Sequence, residues 1–214
     1  MKIIYQAQKE YPQKLNNIYS LPAKLYLEGD EENLNKPSIA IIGCRDASDY
    51  GKKVAFNFAY ELAKKGFVIV SGLARGIDTY AHLGAIKANE KTIAVLGSGL
   101  KHIYPTENKR ICKEIIEKGG TIVTEYEPST KPLPMNFPTR NRIISGLSNG
   151  VLVVEAKQKS GTLITVDYAL EQGKDVFVIP GNITSVNSCG TNELIKQGAK
   201  LVTNINEIIE EIEK

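Results

Sequence analysis

Short β-branched runs alternate with longer helical patterns along most of this chain, and that alternation admits few folds. Residues 38–43, Ser-Ile-Ala-Ile-Ile-Gly, read as a buried strand, and residues 48–65 as a helix closed by Gly66. Further strands are predicted at 67–70, 92–96, 121–124, 151–155, 175–179 and 200–202. Helices fall at about 76–88, near 106–118, and over 163–172 and 204–214, with a short helical segment before residue 151. Residues 127–138 are Pro-rich and read as irregular. Strands and helices at this spacing demand right-handed βαβ crossovers. The expected fold class is therefore α/β: an extended Rossmann-like, mostly parallel sheet with helices on both faces.

Residues 1–36 break the pattern with Tyr11-Pro12, Leu21-Pro22 and the acidic 29–32 stretch. They are expected to form an N-terminal extension packed on the core, leaving 37–214 as the Rossmann-like domain. A chain of 214 residues buries enough surface to need no staple. Accordingly Cys44, Cys112 and Cys189 are far apart, form no Cys-x-x-Cys pair, and read as buried or half-buried thiols. The N-terminus carries no basic segment leading into an apolar one, and no apolar run is long enough to cross a bilayer. A cytosolic setting without a membrane partner is expected.

In a doubly wound sheet, ligands bind beyond the carboxyl ends of the strands. Four strand-ending loops here carry glycine ahead of a helix: 43–51, 71–78, 97–100 and 155–162. Bare glycine backbone and unpaired amides at a helix N-terminus make an anion site. Ser48 and Asp78 read as ordinary N-caps. Net charge is only +3, but the five arginines are segregated, and Arg45, Arg75, Arg140 and Arg142 lie in predicted loops beside Gly, Pro or Asn. Arginine suits planar, bidentate phosphate recognition.

Neither of two common phosphate ligands fits these loops. Gly97-Ser98-Gly99 lacks the third glycine of a dinucleotide fingerprint, and the second strand ends in Ser71-Gly72 rather than in a ribose-binding acid. No ATP-type Gly-x-x-x-x-Gly-Lys-Ser/Thr loop occurs. No cofactor and no metal are expected. The segment Asn136-Phe137-Pro138-Thr139-Arg140-Asn141-Arg142 instead sets an aromatic ring beside two arginines. Rings that stack bases and cations that hold phosphates are the recipe for single strands. Phe137 reads equally as core or as stacking platform, whereas Arg140 and Arg142 together read as functional, the alternative being pairs with Glu125 or Glu127.

Several ordered motifs resemble the DprA/Smf DNA-processing family. They are Gly43-x-Arg45 with Ser48 and Tyr50-Gly51, then Ser71-Gly72-Leu73-Ala74-Arg75-Gly76-Ile77-Asp78 with Ala81-His82, and Tyr104-Pro105. Phe137-Pro138-x-Arg140-Asn141-Arg142, Glu155-Ala156 with Lys159-Ser160-Gly161-Thr162, and Pro180-Gly181 complete the set. The resemblance runs from about residue 11 to residue 202. It implies a homodimer that binds single-stranded DNA and loads the RecA recombinase in natural transformation. It further implies a pocket at Arg45, Ser71, Gly72, Arg75, Phe137, Arg140, Asn141, Lys159, Ser160 and Gly161. The helical N-terminal and winged-helix C-terminal modules often found in the family are not expected within these 214 residues.

An enzyme is the weaker expectation. No Ser-His-Asp order, metal cluster or carboxylate pair emerges, and His82 reads as a packed helix residue. Glu155 is the carboxylate to watch, either at a site or orienting Lys157, Lys159 or an arginine. In related phosphoribohydrolases a similar sheet carries a catalytic glutamate where Thr165 stands here. The rival readings are a nucleotide-binding sensor and a phosphoribohydrolase-like enzyme acting on nucleoside monophosphates. A terminal stripe of Ile205, Ile208, Ile209 and Ile212 is expected to pack on the protein's own sheet rather than form a dimer face.

Overall fold

The computed structural model describes residues 1–213. Its first two strands are β1 (Lys2–Tyr5) and β2 (Lys24–Gly29), and β3 (Ser38–Gly43) is the first of the predicted ones. From there strand and helix alternate: α1 (Asp49–Lys64), β4 (Val68–Ser71), α2 (Ile77–Lys87), β5 (Thr92–Val95), α3 (Lys109–Glu117) and β6 (Thr121–Thr124). The second half holds α4 (Asn136–Gly146), β7 (Gly150–Glu155), α5 (Gly161–Glu171), β8 (Asp175–Val178), α6 (Cys189–Lys196), β9 (Lys200–Leu201) and α7 (Asn206–Ile212). One sheet runs β1-β2-β6-β5-β4-β3-β7-β8-β9. The β1–β2 and β2–β6 pairings are antiparallel and all the others parallel.

The central strands are apolar on both sides because helices cover both faces. Ala40, Ile42, Val151 and Val153 join one core with Ile143, Leu147 and Val166 from α4 and α5. Their alternates Ile39, Ile41, Leu152 and Val154 join another with Ala55, Ala59, Leu62, Ala81 and Ala85 from α1 and α2. Ile208 of α7 is buried in that second core with Ile205, Ile209 and Ile212 against it, so the isoleucine stripe packs on the protein itself. The predicted end of that helix, Lys214, lies outside the described residues.

Four expectations are corrected. Residues 1–36 supply β1 and β2 to the sheet, strands too short and too irregularly patterned to read from sequence. They are also bolted to the core by Lys14, whose Nζ donates to Lys36 O at 2.6 Å, Ser38 Oγ at 3.1 Å and Asn149 Oδ1 at 2.9 Å. Second, α4 begins at Asn136, so Phe137 and Pro138 are helical. Proline is accepted there because first-turn amides have no intrahelical partner. Third, the structure adds α6 between β8 and β9, eight residues that follow a short 3-10 turn at Val186–Ser188 and are too few to carry a clear periodic stripe in the sequence. Finally, Cys189 opens that helix and is exposed, whereas Cys44 and Cys112 are buried.

Candidate nucleic-acid interface

Successive strands β3 to β6 step one way across the sheet, and β7 to β9 step the other way from β3. The order therefore reverses between β3 and β7, where the loops diverge and leave a crevice at the carboxyl ends. A cavity of about 350 Å³ occupies that crevice. Ile42 and Gly43 form its wall on the β3 side, Arg45 and Asp46 one lip, and Lys157, Ser160 and Gly161 the other. Phe137, Arg140 and Asn141 of α4 close it. A smaller cavity of about 40 Å³ adjoins it, between Arg75, Tyr104 and Pro105, and shares Arg45, Phe137 and Arg140.

Gly76 brings the arginine loops together. It takes φ +73°, and a Cβ there would sit 2.2 Å from Cys44 O and 2.5 Å from Arg45 O, so only glycine lets the two loops touch. Phe137 is half-buried and lies against Gly97, where a Cβ would come within 2.8 Å of its ring. On its open side the Arg45 guanidinium stands 5.7 Å from the ring centroid. Tyr104 stands 5.5 Å away with its plane tilted 50°. Phe137 is thus both a packed residue and an accessible ring flanked by a cation and a second ring.

Arg140 differs from a surface phosphate ligand. It is only 4% exposed. Its Nη1 donates to Gly72 O at 2.9 Å and to Val95 O, and its Nε to Asn141 Oδ1 at 3.3 Å. No acceptor among the described residues takes Nη2. Burial lowers its pKa to about 10, against the nearby Asp78 carboxylate, so it stays a cation at neutral pH. Asp78 is not an N-cap: its Oδ2 accepts the Gly72 N–H at 3.0 Å and the Ala74 N–H at 3.4 Å, pinning the β4–α2 loop. Burial pushes that carboxyl up while Arg140 opposes the shift. Arg140 is the floor of the site and a fixed source of positive potential, with one nitrogen left for a ligand.

The remaining expected residues divide. Asn141 Nδ2 donates to Gly161 O at 3.4 Å, so Asn141 orients Arg140 and joins α4 to the start of α5. Ser160 flanks the helix amides, and its buried Oγ has no hydrogen-bond partner among the described residues. Arg75 is exposed and paired with Glu107. Gly72 lines the smaller cavity, but the Ser71 hydroxyl turns into the sheet and donates to Ile41 O at 2.7 Å. Lys159 is exposed and lines neither cavity; Lys157 does, with Nζ 3.6 Å from Asp46. Both lysines follow β7 and the sequence does not tell them apart, since which one faces the crevice depends on the turn into α5.

Two further expectations are corrected. Arg142 is structural: its Nη1 and Nη2 donate to the Glu125 carboxylate at 2.6 and 2.7 Å, and its Nη2 and Nε to Ser20 O at 2.8 and 3.0 Å. This tethers the N-terminal segment. Glu155 orients no lysine or arginine among the described residues. It accepts the Ser48 N–H at 3.0 Å and the Ser48 hydroxyl, while Ser48 Oγ caps α1 by accepting the Gly51 N–H at 3.0 Å.

The family model for DNA recombination-mediator protein A matches residues 2–213. The chain belongs to that family. It is 46% identical over 207 residues to DNA processing protein DprA of Bacillus subtilis, covering 96% of this chain and 69% of that protein. It is 47% identical to protein Smf of Escherichia coli, covering 95% and 54%, and 45% identical to DprA of Streptococcus pneumoniae, covering 95% and 71%. The chain thus spans between 54% and 71% of the length of these three relatives. The crystal structure of the Streptococcus pneumoniae protein superposes with a TM-score of 0.93 at 43% identity, covering 98% of this chain and 74% of that one. DNA processing protein A from Helicobacter pylori, described for its unique single-stranded DNA binding mode, gives 0.88 at 35% identity, covering 99% and 96%. A molybdenum cofactor binding protein at 22% identity and TM-score 0.59 shares the fold alone. The extended Rossmann-like architecture is a property of the family.

Proposed function

We propose that this chain binds single-stranded DNA without catalysis, at the crevice where the strand order reverses. The observation that carries the reading is Phe137, held between the Arg45 guanidinium and the Tyr104 ring over two connected cavities. A ring accessible beside cations stacks a base whatever its sequence, and the amides opening α5 offer phosphate donors. The pocket comprises Arg45, Gly72, Arg75, Phe137, Arg140, Asn141, Ser160 and Gly161, with Lys159 on the rim and Ser71 acting only through its backbone. Residues 1–36 serve it as a brace and 37–214 as the binding domain. Protection of incoming DNA, loading of RecA, a homodimer and a cytosolic setting belong to the same proposal, supported by family membership.

The test is anisotropy of a labelled poly-dT strand competed by duplex DNA and by mononucleotides. If about four cations meet phosphates, log affinity falls with log salt at a slope near −3, as −0.7 per contact requires. Equal competition by duplex, or affinity indifferent to salt, overturns the reading. The rival nucleotide sensor draws on the size of the main cavity, about 350 Å³, which suits a small ligand. It predicts that mononucleotides displace the strand at equal molar concentration. A phosphoribohydrolase would release adenine from AMP; the buried Thr165 hydroxyl supplies no acid–base group for that at neutral pH.

A further inference from the structure

A third cavity, of about 390 Å³, opens on the same edge of the sheet, beyond the ends of β7 and β8. Tyr50, Glu155, Asn182, Ser185 and Ser188 line it. The three cavities follow the strand order β5-β4-β3-β7-β8. Four inter-strand steps of about 4.8 Å make this rim about 19 Å long. Asn187 links the linings of the first and third cavities: its Nδ2 donates to the O of Asp46, which lines the first, at 2.9 Å and reaches the carboxylate of Glu155, which lines the third, at 3.4 Å.

The chemistry changes along the rim. Arginines and a lysine line the first two cavities, whereas no cation among the described residues lines the third and a buried carboxylate backs it. A phosphate is repelled there, while a neutral, hydrogen-bonding, flat group is suited. Tyr50 is 53% exposed, yet its hydroxyl is anchored to Pro180 O at 3.2 Å, so its ring presents a fixed face. The Ser185 and Ser188 hydroxyls and Asn182 Nδ2 are not engaged with other described residues. Asn192 clamps the loop by accepting the Gly181 N–H at 3.2 Å and donating to Gly181 O at 3.1 Å. Asn182 Oδ1 turns the loop by accepting the Thr184 N–H at 3.0 Å. Ile183 and Val186, 87% and 67% exposed, form apolar outer lips. A loop already ordered in this way loses little entropy when it binds.

We propose that the third cavity is a nucleoside subsite, taking the base and sugar of a nucleotide further along the strand held in the first cavity, with Tyr50 as its stacking face. This rests on the single-strand reading above. It gives a role to Tyr50-Gly51 and Pro180-Gly181, which the main site leaves unused.

The experiment scans one 2-aminopurine through a poly-dT 12-mer bound to the full chain. In the unmodified protein two separated positions are expected to be quenched, one by Phe137 and one by Tyr50. Tyr50→Ala should restore fluorescence at one position only and weaken the 12-mer about five-fold or more. Tyr50→Phe, which keeps the ring, should remain quenched there. Tyr50→Ala that restores neither position or both overturns the subsite, as does a Tyr50→Phe that behaves like it. A protein that quenches no position and binds no 12-mer refutes the single-strand reading itself.

Discussion

Removing Arg140 should unsettle the fold as well as the site. Arg140→Ala strands the Gly72 and Val95 carbonyls, both of which accept from Nη1, and leaves Asp78 buried without its counter-charge. Each unsatisfied buried acceptor costs about 1–3 kcal/mol, and Asp78, still held by the Gly72 and Ala74 amides, loses the favourable field of the nearby guanidinium. These overlap in one network, so about 3–5 kcal/mol is the working figure. For a domain of this size each kcal/mol moves the melting temperature by about 2–4 °C, which puts the loss at about 6–20 °C. Differential scanning calorimetry measures it. The pH dependence adds a second readout. Burial already raises the Asp78 pKa in the folded state, and deleting Arg140 raises it further. A group with a raised folded pKa stabilises below its unfolded value and loses that contribution as pH rises, so the variant's deficit should shrink on acidification. Asp78→Asn in the same background should recover part of the loss by removing the stranded charge. A melting temperature within about 2 °C of the parent, with binding abolished, would refute the reasoning and make Arg140 a ligand contact alone.

Other outcomes follow from the same geometry. His82 is fully buried, its Nδ1 2.8 Å from Thr92 Oγ1 and its Nε2 without a partner among the described residues, and burial lowers its pKa to about 3. The unfolded chain therefore takes up the proton first, and stability present above pH 6.5 is lost as pH falls toward 3; His82→Gln should flatten the stability–pH curve measured by urea titration in that window. Phe137→Ala should weaken poly-dT by about 1–3 kcal/mol, read by anisotropy, with some thermal loss because the ring also packs on Gly97. Lys157→Ala should lower the salt slope by about 0.7, and Lys159→Ala by less; the reverse order would place Lys159 in the crevice instead.

The β-branched runs at 38–43 and 151–155 dictated a parallel sheet covered on both faces, because a strand apolar on every side has no other place to sit. The rule that ligands gather at carboxyl ends then pointed to the loops that border the crevice. Arg45, Arg75, Phe137 and Gly161, which all border the crevice cavities, stand out in the sequence because loop glycines, arginines and an aromatic ring carry local signals. The sequence could not rank residues of like chemistry. Arg140 and Arg142 are two positions apart on α4, yet one floors the crevice and the other is locked to Glu125. Lys157 and Lys159 flank the same turn, and only one lines the cavity. Ser71 and Ser160 both precede helices, and only Ser160 lines the crevice cavity. β1 and β2 escaped for a related reason, since an added antiparallel edge is stabilised by the strand it meets, β6, and by the Lys14 and Arg142 tethers. Chemistry type and approximate place are written in local residue order; which side of an element faces the crevice is set by contacts between segments far apart in the chain, and only the packed structure holds those.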